Sequence, residues 1–132
     1  MIRCFDDGGV YVASLMQKFP ENESYENSNI VKVVCNKFND ALYFSRSAIP
    51  YKRNKEIREI IYRHIGVYAY RKEALINFTK WPMGVLEKTE MLEQLRYLEN
   101  GISIRMVETE ESSVGVDTPE DLKKAIAFYN KS

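Results

Sequence analysis

The segment that most constrains the fold is YRHIGVYAY at positions 62–70, which is rich in aromatic and β-branched residues. This composition predicts a β-strand in the core of a sheet. Side chains of a strand alternate between the two faces of the sheet. The residues expected on one face are Tyr62, His64, Gly66, Tyr68 and Tyr70.

Three further segments predict the rest of this sheet. Residues 10–16 (VYVASLM) form a short run of apolar, β-branched and aromatic residues, typical of a buried strand. Residues 30–45 alternate in polarity around a short polar turn, which predicts a β-hairpin. Residues 102–108 (ISIRMVE) predict another strand. The strongly charged residues 51–60 favour either a mobile excursion or a short helix.

Helices are predicted between and after these strands. Residues 72–80 suggest a helix that ends before Trp81-Pro82, and residues 86–99 suggest a second that ends at Asn100-Gly101. Thr118 is followed by Pro and two acids, as at a capped helix start. The order of elements predicts an α/β fold with a partly antiparallel, mixed sheet and flanking helices. With 132 residues, the chain is long enough for one core.

Composition excludes several classes of protein. Lys plus Arg and Asp plus Glu both number 19, so the basic excess of a nucleic-acid-binding protein is missing. No apolar run approaches the ~20 residues that a membrane-spanning helix needs, and Asp6 and Asp7 interrupt any signal-peptide-like stretch. Cys4 and Cys35 show no metal-binding spacing, which favours two reduced thiols. A cytoplasmic protein without nucleic-acid or membrane partners is expected.

Four segments resemble one enzyme family. They are IVKVVCNKFNDALYFSRSAIPY, YRHIGVYAYRKEAL, LEKTEMLEQLRYLENG and VGVDTPEDL. In this order and spacing they resemble the 3-deoxy-manno-octulosonate cytidylyltransferases, from about Asn29 to about Ala127. The resemblance implies the C-terminal part of a nucleotidyltransferase Rossmann-like fold. It also implies an enzyme that couples CTP to the sugar acid Kdo, giving CMP-Kdo for lipopolysaccharide and pyrophosphate.

The nucleotide half of that family is not evident in the sequence. Its basic, glycine-rich phosphate loop has no counterpart here, because Gly8-Gly9 follows two acids and is unsuited to anions. Residues 1–132 are therefore expected to form a single partial domain, the sugar-binding and dimerisation half, inactive alone. The resemblance also implies a homodimer. Two alternatives stay open: a non-catalytic sugar-binding or dimerisation module, and a relative acting on a nine-carbon sugar acid instead of Kdo.

Asp117 is the candidate metal ligand. It follows Val114-Gly115-Val116 and directly precedes the Thr118 cap, a strand-to-helix junction where α/β proteins place ligand-binding groups. Mg²⁺ prefers a few carboxylates together with waters and phosphates. A helix-capping aspartate would show the same pattern, and the resemblance favours the Mg²⁺ ligand, completed only with the other half.

Five residues are candidates for contacts with the sugar. The resemblance assigns His64 and Tyr68 to the sugar, and imidazole and phenol groups suit hydrogen bonds to hydroxyls. Glu93 and Gln94, expected side by side on the 86–99 helix, match the LEQLR segment. Arg46 matches an arginine for the sugar carboxylate, to which a guanidinium can bind in a bidentate pair. From the residues alone, a satisfied core histidine, solvated helix residues and a surface arginine remain alternatives.

Overall fold

The computed structural model describes residues 1–57 and 60–110, which form one mixed β-sheet with helices packed against it. A short 3₁₀ helix, Ile2–Asp6, precedes the first strand. The strands are β1 (Val12–Lys18), β2 (Lys32–Cys35), β3 (Ala41–Ser45), β4 (Tyr62–Tyr70) and β5 (Ile104–Glu108). Their order is β3-β2-β4-β1-β5, and β1 runs antiparallel to β4 and parallel to β5. The predicted α/β class, the hairpin and the mixed sheet are confirmed.

The first predicted helix is also confirmed. Helix α1 covers Lys72–Lys80 and ends at Trp81, whose extended backbone precedes Pro82. Proline disfavours helical backbone in the residue before it, which explains the end point. The helix predicted at Thr118 lies outside the described residues.

The prediction of one helix over residues 86–99 is wrong. Helix α2 covers Val85–Glu90 and helix α3 covers Leu95–Glu99, with Met91 between them in the left-handed region at φ 57°. Left-handed backbone costs a residue with a side chain roughly 1–2 kcal/mol. The guanidinium of Arg46 offsets this cost by donating to the carbonyl oxygens of Glu90 (2.8 Å) and Met91 (3.3 Å). Glu93 therefore lies in a turn and not on a helix.

The core lies between one face of the sheet and the segment containing α2 and α3. From the sheet, Val12, Phe44 and Ile104 are fully buried, and from the helical side Leu95 and Tyr97 pack against them. Helix α3 ends at Asn100-Gly101 as predicted. Gly101 has a φ of 77°, and glycine enters this left-handed region without a side-chain penalty. The chain then continues into β5.

A bulge interrupts the pairing of β1 with β4. Ser14 pairs with Tyr68 and the next residue, Leu15, pairs with Ile65, so that two residues of β4 have no partner on β1. Because the bulge contains two residues, the alternation of β4 resumes on the same face. The predicted common face of His64 and Tyr68 is confirmed by their rings, whose centroids are 5.4 Å apart.

The charged segment after Pro50 contains no helix within residues 51–57 and 60, where the backbone forms turns and extended stretches. The short-helix alternative is therefore wrong for those positions. Residues 24–26 lie beside this segment and form a groove with it.

A buried ion pair joins α2 to α3. The Glu87 carboxylate is 1% exposed and accepts from both Nε and Nη2 of Arg96, each at 2.7 Å. The carboxylate of Glu99 in turn accepts from the Glu87 backbone N–H at 2.9 Å. This second contact satisfies a free N–H group in the first turn of α2.

We expect Glu87→Ala to lower the free energy of unfolding by roughly 3 kcal/mol, because it leaves the Arg96 guanidinium without its buried partner. Urea unfolding monitored by circular dichroism measures this. Glu73→Ala, on the exposed side of α1, is the matched control and should change the free energy by less than ~0.5 kcal/mol. Equal effects of the two substitutions would contradict a structural role for the pair.

Candidate functional site

A polar cleft of about 370 Å³ lies at the edge of β4. Its floor is formed by β4 around the bulge, one wall by residues 29–31 before β2, and the other wall by Leu92 and Gln94 after the helix break. Gly66 faces this space, and a Cβ built there would meet no atom within 4 Å. Three predicted site residues, His64, Tyr68 and Gln94, line the cleft together.

His64 is held between two polar side chains. Its Nε2 is 2.8 Å from the hydroxyl of Ser14, and its Nδ1 is 3.3 Å from the amide nitrogen of Gln94. The ring also packs edge-on against Phe44. Burial lowers the pKa of His64 to about 4, so the imidazole is neutral at neutral pH.

Tyr68 supplies a phenol next to this imidazole. Its ring stacks on Tyr70 at 5.8 Å between centroids. Burial first, and then the nearby Tyr70 and Glu93, raise the pKa of Tyr68 far above its usual value. The hydroxyl therefore keeps its proton and can both donate and accept hydrogen bonds.

Gln94 and Glu93 differ in their surroundings although they are adjacent. Gln94 is 7% exposed, and its amide nitrogen is directed at His64. Within the described part of the chain, no donor is placed on the Gln94 amide oxygen. Glu93 is exposed and does not line the cleft, although its charge acts on the pKa of Tyr68 and Tyr70. A role for Glu93 in sugar binding stays a prediction.

Arg46 lies behind the cleft wall. Its guanidinium donates to the carbonyl oxygens of Glu90, Met91 and, at 3.0 Å, Ser28. The Arg46 backbone N–H donates to the Glu90 carboxylate at 3.1 Å. These contacts use much of the donor capacity that a sugar carboxylate would need. The proposed carboxylate contact of Arg46 stays a prediction, and its observed contacts are structural.

Asp117 lies outside the described residues. Among residues 1–57 and 60–110, no group of three or more His, Cys, Asp or Glu side chains is arranged to hold a metal ion. Within the same ranges, no helix is both long and apolar enough to span a membrane.

Ser14 is a site residue that the sequence did not reveal. It is fully buried, and its hydroxyl contacts His64 and two carbonyl oxygens of β4. A single serine in the apolar run VYVASLM gives no signal of this role by itself. The polarity of Ser14 within an apolar run is the one signal in the sequence, because a buried hydroxyl requires a hydrogen-bond partner.

In an α/β chain, a cleft with converging polar groups is the first candidate for a ligand-binding site. Residues 2–107 match the family described as cytidylyltransferase. The chain belongs to this family.

Three similar curated proteins share one name. The 3-deoxy-manno-octulosonate cytidylyltransferase of Parabacteroides distasonis is 47% identical over 134 residues, which cover 95% of this chain and 53% of the relative. The proteins of the same name from Flavobacterium johnsoniae and Chloroherpeton thalassium are 50% and 55% identical; the matches cover 92% and 83% of this chain, and 50% and 44% of those relatives. This chain thus spans about half the length of the curated relatives it matches.

A solved structure shares the fold. It is CMP:2-keto-3-deoxy-manno-octonic acid synthetase complexed with CTP, with a TM-score of 0.89 and 42% identity. The match covers 98% of this chain and 53% of the other. The arrangement of the described sheet is therefore that of this family.

Stability should depend on pH through His64. Its pKa in the folded chain, about 4, is below the ordinary value of 6.5, so below pH 6.5 the unfolded state binds more protons than the folded state. We expect the contribution of His64 to the free energy of unfolding to be nearly constant above that pH and to fall by about 2 kcal/mol between pH 7 and pH 5.

Urea unfolding at the two pH values measures this difference. His64→Gln is the control, because it removes the titrating group and should remove most of the loss specific to this pH range. An equal loss in the variant would show that other groups cause it.

Proposed function

We propose that this chain forms the sugar-binding half of a 3-deoxy-manno-octulosonate cytidylyltransferase, which converts CTP and Kdo into CMP-Kdo and pyrophosphate. The observation that carries the proposal is the cleft in which His64, Tyr68 and Gln94 meet. A neutral imidazole, a protonated phenol and an amide suit a ligand with many hydroxyls. The names of the relatives supply the identity of the sugar acid and nucleotide.

In this reaction a hydroxyl oxygen of the sugar attacks the α-phosphorus of CTP in line. The new P–O bond forms as the bond to pyrophosphate breaks, and the hydroxyl proton passes to solvent. The cleft residues would bind and orient the sugar, which can supply much of a rate enhancement without a covalent nucleophile. Asp117 would hold Mg²⁺ by its carboxylate, and the bound ion would neutralise charge on the phosphate oxygens. An enzyme that uses CTP for lipopolysaccharide synthesis is expected in the cytoplasm.

The open edge of β4 supports the view that a second half completes the enzyme. On one side β4 pairs with β1 along its length, whereas on the other β2 pairs only with Tyr62 and Arg63. The backbone N–H of Arg71 donates to the backbone carbonyl oxygen of Tyr11, on the β1 side, at 2.8 Å. By alternation, the backbone groups of Tyr68 and Tyr70 point to the other side, where the described residues place no strand. A strand of the nucleotide half would fit there, beside the cleft.

A non-catalytic sugar-binding module is the second candidate. The three cleft residues are assembled within the described chain, which would allow this chain to bind the hydroxyls of a sugar by itself. Binding of Kdo without any pyrophosphate release, even after the nucleotide half is restored, would favour this candidate. The same assays with a nine-carbon sugar acid in place of Kdo test the third candidate, a relative with a different sugar substrate.

We expect the 132-residue chain alone to release no pyrophosphate from CTP in the presence of Kdo and Mg²⁺. Loss of one charge-stabilising group commonly costs ~10²–10³ in rate, and the cations that neutralise a triphosphate are expected in the other half. Adding the nucleotide half of a relative, fused or separate, should restore turnover. Asp117→Asn should abolish the restored activity, and Glu73→Ala should leave it unchanged. Turnover by the chain alone, near that of a full-length relative, would contradict the division into halves.

We also propose a homodimer at micromolar concentration. Tyr51 lines a groove of about 590 Å³ and is 86% exposed, and Ile57 and Ile60 further along the same segment are more than half exposed. The zero net charge adds little repulsion between copies. Sedimentation equilibrium should give twice the chain mass. Tyr51→Glu should shift the mass toward the monomer, whereas Ile2→Glu, also at an exposed apolar residue but outside this groove, should not. A monomer mass for the unmodified chain would contradict the proposal.

A further inference from the structure

The hydroxyl of Ser14 lies at the β4 bulge, within hydrogen-bond distance of two backbone carbonyl oxygens of β4. Its Oγ is 2.8 Å from the carbonyl oxygen of Val67 and 3.2 Å from that of Ile65. Carbonyl oxygens only accept hydrogen bonds, and a serine hydroxyl has a single proton. The Ser14 proton therefore points to these carbonyls, and the Oγ lone pairs remain for His64.

The orientation of the hydroxyl fixes the proton on the imidazole. His64 Nε2 is 2.8 Å from Ser14 Oγ, and because the hydroxyl proton is used, Nε2 must donate. In a neutral imidazole only one nitrogen carries a proton. Nδ1 is then an acceptor, and its partner at 3.3 Å, the side chain of Gln94, must present its NH₂ group.

The amide of Gln94 is thereby oriented as well. Its nitrogen is directed at His64, so its oxygen is directed away from His64 on a side chain that lines the cleft and is 93% buried, being 7% exposed. No donor from the described residues satisfies this oxygen. A buried amide oxygen without a partner is costly, and a donor group of a ligand can satisfy it.

We propose that Ser14 is a positioning residue which, through the Nε2–H tautomer of His64, makes Gln94 present its carbonyl oxygen to the ligand. The site then selects a hydroxyl donor at that position and disfavours groups that can only accept. This inference rests on the proposed function only for the identity of the ligand. The hydrogen-bond relay Ser14–His64–Gln94 exists in the chain without any ligand.

The test uses the fact that the protein has one histidine. In the ¹⁵N-labelled 132-residue chain at about pH 7, long-range ¹H–¹⁵N correlations assign the tautomer of this one imidazole without ambiguity. We expect Nε2–H in the unmodified chain and in Ser14→Thr, which keeps a hydroxyl. In Ser14→Val, similar in shape to the Thr variant but without the hydroxyl, we expect a shift to Nδ1–H with the Gln94 amide reversed. Ser14→Ala is the second variant in case valine does not fit.

Titration with Kdo measures the consequence for binding. Loss of the Ser14 hydroxyl should weaken Kdo binding on the order of tenfold, because the ligand hydroxyl must then turn to accept from the amide NH₂ group and its proton loses the carbonyl acceptor. The Thr variant should bind within about twofold of the unmodified chain.

The outcomes separate the relay from the proposed function. Nδ1–H in the unmodified chain, or Nε2–H retained in both the Val and Ala variants, would overturn the relay. These measurements need no ligand, and general destabilisation would not change a tautomer in a chain that stays folded. If the unmodified chain shows the expected tautomer but does not bind Kdo, the assignment of the sugar is wrong and the relay stands.

Discussion

The guanidinium of Arg46 is the contact on which the geometry of the cleft depends. It joins the end of β3 to the carbonyl oxygens of Glu90 and Met91 at the helix break and of Ser28 before β2. The two walls of the cleft come directly after these contacts in the chain: residues 29–31 follow Ser28, and Leu92 and Gln94 follow Met91. One planar group thus sets the distance between the walls, and each hydrogen bond to a charged donor is worth more than one between neutral groups. Because the Met91 backbone is left-handed, the break would be unfavourable without these contacts.

The same contact explains which part of the fold the sequence could predict. Strands β1 to β5 and helix α1 follow from local patterns, namely alternation, β-branched composition and the Trp81-Pro82 stop. The division of residues 85–99 into two helices does not, because the apolar spacing of Leu92, Leu95 and Leu98 suits one helix as well as two. What decides between them is a guanidinium 44 residues away in the sequence, which no local window contains. Long-range hydrogen bonds override local propensity here.

The site was predictable to a similar depth. His64 and Tyr68 could be assigned to one face because the two-residue bulge preserves the alternation of the strand. Gln94 was found through its motif, although its position at the helix break was not. Ser14 could not be found, because the importance of its hydroxyl arises only when the bulge brings the carbonyl of Val67 to it. The polar network is a product of the pairing register, and the register depends on the whole sheet.

Most side chains that line the cleft are uncharged, which limits the ligand groups that they can bind. Burial keeps His64 neutral and Tyr68 protonated, and Gln94 carries no charge. Arg63, also at the cleft, is bound through Nε to the side-chain oxygen of Gln17 at 2.9 Å. The neutral groups suit hydroxyls, and Arg63 is the one cation among the described residues that line the cleft, so the proposed sugar carboxylate and triphosphate would together bring more negative charge than this cluster balances. Those charges require cations and a metal ion beyond this cluster, because burying unpaired anions is far costlier than burying hydroxyls. Under the proposed function a division of labour follows, in which the hydrogen bonds of this cleft would select the sugar and charges placed elsewhere would drive the transfer.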